Sequence, residues 1–165
     1  MLKSQIYAVI ISLIMIFGLC TADFAMAGEK IKAHGASAVV ESEQIEVGDV
    51  EGHVIAITKS KAVYFDESTG EITPQISVGL MDFNLNSGMG SGYGYGISTL
   101  KNGDKRISRW ESKSVEKGHM KGTFTITKGT GKLEGIKGGG TFESYSLGSG
   151  QSHVEVEGEF EIPGQ

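Results

Sequence analysis

Along residues 153–162 apolar and polar side chains alternate: Val154, Val156, Phe160 and Ile162 fall on one side, Glu155, Glu157, Glu159 and Glu161 on the other. A period of two is that of an extended chain with one buried and one wet face. The glutamate row is then a solvated surface that discourages edge pairing. Carboxylates in single file also lack the convergent oxygens a calcium ion requires. The stretch 118–127 repeats the pattern, with Met120, Phe124 and Ile126 on one face. A turn over 128–132 and a short link over 133–136 lead to a further strand over 141–147. Residues 93–100 and 105–113 read as a hairpin about Lys101-Asn102-Gly103-Asp104, because Asn and Gly tolerate positive φ. Upstream, 50–58, 62–66, 75–85 and a weak 36–42 bring the expectation to about eight strands. No amphipathic helix longer than about two turns fits the chain after residue 27. Short strands at regular spacing predict a barrel or sandwich, and a single closed antiparallel barrel, all-β, removes exposed edges.

Composition sharpens this reading. The chain has 25 glycines and two prolines without a collagen repeat, which fits many strands joined by tight turns. From Gly88 to Gly96 every second residue is glycine, with Met89, Ser91, Tyr93 and Tyr95 between. A bare strand face admits a second backbone, a bend or a ligand. A G-x-G-x-x-G phosphate loop can be laid on the run, but the strand-then-helix context it needs is absent.

The N-terminal pattern differs. Lys3, an apolar run from Ile6 to Leu19 and the small residues Ala25 and Ala27 describe a signal peptide over 1–27, cleaved before Gly28. The run is short for a membrane span and Asp23 soon interrupts it. Leu19, before Cys20, is bulkier than a lipobox residue. The expectation is therefore export to the periplasm or beyond, with residues 28–165 as one domain and no integral span after cleavage. Cys20 is the only cysteine, so the exported part would lack disulfides and thiolate ligands. It would keep 14 Lys/Arg against 19 Asp/Glu, an acidic balance with no attraction to nucleic acid or anionic membranes.

Three segments carry a family resemblance: GSGYGYGISTLKNGDKRISRW, KGTFTITKGTGKLEGIKGGGTF and the closing alternating strand. Within them Gly129 to Phe142 follows G-T-G-x-[LFY]-x-G-I-x-G-x-G-T-[FY]. Over residues 50–162 the chain resembles allene-oxide-cyclase-like barrels of bacterial exported proteins, which are distantly similar to dirigent proteins. The resemblance implies eight antiparallel strands around an apolar interior. The plant cyclases use a few polar residues inside the barrel, including a glutamate; no position here matches them one by one, so no site residue is carried over.

Candidate chemistry is sparse. His34, His53, His119 and His153 show no H-x-H or H-x-x-x-H spacing, so no metal site is expected, and no cofactor motif is present. No Gly-x-Ser-x-Gly elbow anchors a hydrolase triad. By strand parity Trp110 shares a face with Ser108, Ser112 and Arg106. An inward arginine is costly unless paired, and would then suit a ligand carboxylate. Tyr93, Tyr95, Arg106 and Trp110 form the candidate ligand-binding set. The preferred function is a barrel that binds a small apolar or amphipathic molecule, or an envelope partner; a homo-oligomer also fits. The alternative is a cyclase or isomerase acting on a lipid-derived substrate, which would need ionisable groups inside the barrel.

Overall fold

A computed structural model describes residues 28–163; the proposed signal peptide and its cleavage site lie outside the described residues. Eight strands follow in order: β1 (Glu29–Glu46), β2 (His53–Asp66), β3 (Ile72–Asn84), β4 (Met89–Thr99), β5 (Lys105–Glu116), β6 (His119–Gly129), β7 (Lys137–Gly148) and β8 (Gln151–Glu161). Each pairs antiparallel with its sequence neighbours, and β1 pairs with β8 to close the barrel. The only helical turn among the described residues is a 3-10 segment, Gly131–Leu133. The fold is all-β and one closed antiparallel barrel, as the alternation predicts.

Strands β4 and β7 each begin four residues before the sequence expectation, at Met89 and Lys137, and two strands differ more. The segments 50–58 and 62–66 are one strand, β2. Lys59-Ser60-Lys61 reads as a polar break, yet Ser60 faces the interior and both lysines face outward, so the period of two is never lost. Strand β1 spans 18 residues rather than the short 36–42. A bulge at Val40 reverses its parity, turning Val39 and then Gln44 inward, and hides the alternation from a simple reading. The hairpin at 101–104 is present: Leu100 N donates to Asp104 O at 2.8 Å, and Gly103 supplies the positive φ of 87°.

Glycines and rings share the interior. Gly94 is paired with Trp110 on β5 and with Gly79 on β3, and the indole lies against both. Phe83 lies against Gly90, Phe142 against Gly122 and Tyr64 against Gly35. A barrel of this size fills by alternating large and small inward residues, and glycine is the smallest seat.

One end of the barrel gathers the β2–β3, β4–β5 and β6–β7 connections. There the β6–β7 connection folds inward, burying Leu133 and Ile136 with Ile31 and Ile126. Asp104 ties it down by accepting from Lys132 N at 3.0 Å, while Thr130 Oγ1 accepts from Lys105 N at 2.8 Å. This cluster closes the β1/β6–β8 side and leaves the rest of the interior open.

Candidate functional site: the barrel interior

The open interior is a cavity of about 670 Å3. Its walls come from inward positions of every strand but β4, a direct result of the period of two. Val54, Met81, Phe83, Trp110, Phe124, Phe142 and Val154 give it an apolar body. Hydroxyls and amides interrupt this surface at Ser60, Thr73, Gln75, Ser77 and Ser108. Some are already committed: Ser98 Oγ donates to Gln75 Oε1 at 2.9 Å, and Gln75 Nε2 donates to Ser77 Oγ at 3.0 Å. The volume suits one small organic molecule.

Three ionisable side chains line the cavity: Tyr64, Asp66 and Arg106. Arg106 is paired across the ladder with Ser98 and Gly129, two small neighbours that leave room for its long side chain. Burial lowers its pKa, an effect that the Asp66 carboxylate and Tyr64 oppose. Its guanidinium makes no hydrogen bond or ion pair among the described residues. No fully enclosed side-chain nitrogen or oxygen among them lacks a partner, so the free N–H groups face cavity space. Burial pushes the Tyr64 phenol up to about 12, keeping it neutral.

Asp66 is different. Burial raises its pKa, but hydrogen bonds outweigh this and the net shift is downward. Its Oδ1 accepts from Ser68 Oγ at 2.6 Å, from Ser68 N at 2.9 Å and from Thr69 N at 2.8 Å. It is an ionised turn-capping carboxylate at the edge of the cavity.

The four sequence candidates separate by face. Arg106 and Trp110 line the cavity. Tyr93 and Tyr95 stand on the outer surface, 52% and 55% exposed, because the glycines of β4 take the inward positions. There Tyr95 is opposite Val78 and Arg109, and Tyr93 borders a shallow outer groove of about 460 Å3 with Arg109, Glu111, Lys113 and Lys121. Tyr64 and Asp66 were not singled out in the sequence. Both sit at even positions of β2, in phase with Val54 and Ala56, and that phase was the available signal.

The histidines line up outside. His119, Tyr145, His153, His34 and Phe65 form a row of neighbouring rings across β6, β7, β8, β1 and β2, with centroids 4.4–6.5 Å apart. Each histidine of the row has a nearby glutamate, among them Glu143 at 2.8 Å from His119 Nε2. No group of three or more His, Cys, Asp or Glu among the described residues is arranged to hold a metal ion. No described helix is long and apolar enough to cross a membrane.

No protein-family model and no curated protein matches the chain. Among solved structures it is similar to the pterocarpan synthase dirigent protein GePTS1, with a TM-score of 0.50 and 13% identity over 86% of this chain and 92% of that one. The pterocarpan synthase dirigent protein PsPTS1 gives a TM-score of 0.50 and 12% identity over 80% of this chain and 94% of that one. At such identity the likeness speaks for architecture, and it agrees with the strand order and closure described above. The chain therefore has a dirigent-like fold, a closed eight-stranded barrel around a partly open interior.

Proposed function

We propose that this is an exported barrel that binds a small apolar or amphipathic molecule in its interior. The observation that carries the reading is the cavity of about 670 Å3, apolar over most of its wall and interrupted by a few polar groups. Such surroundings are typical of small-molecule sites. Support for export comes from the apolar run and the Ala25-Met26-Ala27 site. The resemblance of Gly129–Phe142 to allene-oxide-cyclase-like proteins agrees with a role in holding a lipid-sized molecule.

Acid–base catalysis of the cyclase or isomerase kind finds less support. Asp66, the acidic residue on the cavity wall among the described residues, has a lowered pKa and one oxygen taken by three donors. A general acid or base working near neutrality needs the opposite shift. Native mass spectrometry of protein made in its own host is the test. The reading expects a small molecule retained by the folded protein and released on unfolding. A protein that carries none, and whose Trp110 emission is unmoved by added decanol or decanoic acid, would refute it.

A further inference from the structure

We infer that the molecule bound inside the barrel is an organic carboxylate whose head group is taken by Arg106 and whose apolar body lies against Trp110. This rests on the barrel interior being the binding site and adds the chemical class of the occupant.

Arg106 faces the cavity from β5 between two small ladder neighbours, Ser98 and Gly129. A guanidinium carries five N–H donors in a planar fork. None of them is used within the described protein. Burying such a group without protein partners is costly, so its place on a mostly apolar wall calls for an acceptor in the cavity space that its N–H groups face. The protein's own anion nearby is a poor one. Asp66 lies beyond ion-pair distance, and its Oδ1 is committed to Ser68 and Thr69. Tyr64, a neutral phenol, adds a donor rather than a charge. The fork matches a carboxylate, which accepts two parallel N–H bonds. Beyond the head, Trp110 lies two positions along the same face of β5, with Phe124 opposite on β6. That order, charge and then aromatic wall, fits an acid carried on an apolar chain or ring.

The experiment compares acids with neutral counterparts of the same body by titration calorimetry. The pairs are decanoic acid with 1-decanol, and 2-naphthylacetic acid with 2-naphthaleneethanol. At neutral pH at least one acid should bind the unaltered protein about tenfold or more tighter than its alcohol, as expected of a charge-assisted fork. Arg106→Met should abolish that preference while leaving the alcohol's affinity within about twofold, with the folded state confirmed by an unchanged or raised melting midpoint. Arg106→Gln serves the same purpose should the methionine variant fail to fold. Acids that bind no tighter than their alcohols, or a preference that survives loss of Arg106, would overturn the proposal and leave the cavity reading standing. If neither acids nor alcohols bind, both fall together.

Discussion

At the residue scale, charges outside the barrel are arranged more tightly than those inside. His53 is the clearest case: its Nδ1 is 2.6 Å from Asp49 Oδ1 and its Nε2 is 2.9 Å from Asp82 Oδ1. Both contacts are hydrogen bonds only when both ring nitrogens carry protons, so the imidazolium is the form that fits. Asp82, then Asp49, raise its pKa above 6.5, and Asp49 is lowered in return, chiefly by its bond to His53. A raised folded pKa gives stability that is full below the unfolded value and lost as pH rises through the folded one. The melting-point advantage of the unaltered protein over His53→Gln should therefore shrink above about pH 6.5. An advantage that grows with pH would contradict this.

Glu143 behaves in the opposite sense. Lys121, Tyr145 and His119 hold its carboxyl down to about 2, from an ordinary value of 4.5. Its contribution is present above 4.5 and disappears as pH falls toward 2. Melting curves of Glu143→Gln and the unaltered protein should converge over that interval and be parallel above it. None of these partnerships was legible in the sequence. Those of His53 with Asp82 and of Glu143 with Lys121 and His119 join strands whose register is set by bulges and turns, as in the β6–β7 pairing that places Lys121 opposite Glu143.

At the element scale, β4 shows what glycine contributes. A Cβ at Gly94 would meet the backbone of Val78 and Gly79 and the Trp110 ring. At Gly96 the nearest atoms are the amide end of Gln75, at 3.0–3.3 Å, a side-chain tip that can give by a few tenths of an ångström within its hydrogen bonds to Ser98 and Ser77. Gly94→Ala should cost ~1–3 kcal/mol through overpacking, whereas Gly96→Ala should cost less than ~1 kcal/mol. Denaturant midpoints would separate them, and equal costs would mean that the glycines are not seats for the rings. The sequence showed a bare face on β4. It did not show which face was inward, because Tyr93 and Tyr95 made the opposite side look like a binding surface. The rings that fill the glycine side come from β3 and β5, which only closure brings together.

The β6–β7 connection belongs to the same scale. Its short 3-10 turn places Leu133, 7% exposed, and Ile136, 4% exposed, in the buried cluster that closes one side of the barrel. Leu133→Ala should cost ~2–5 kcal/mol, the usual range for a buried leucine. Chemical denaturation would show it, and a cost below ~1 kcal/mol would mean the connection is not a plug. The family motif over 129–142 marked this segment, but neither alternation nor turn chemistry predicted that a linking segment would be buried.

At the scale of the whole molecule, eight strands and their closure follow from one period-two pattern repeated along the chain. The inside of the barrel is therefore largely written in the sequence, once each strand's phase is known. Trp110 and Arg106 were legible because β5 keeps its parity, the bulge at its start falling on β6 at Thr127. Tyr64 and Asp66 were missed because β2 was divided at its lysines. The central claim is that ligands bind within the barrel rather than on its outer tyrosine face. Isotope-filtered nuclear Overhauser spectroscopy of the labelled protein with unlabelled decanoic acid or 1-decanol tests it directly. The account predicts contacts from the probe's methylene protons to Trp110, Phe124 and Met81, with none to Tyr93 or Tyr95; contacts confined to those two tyrosines would contradict it.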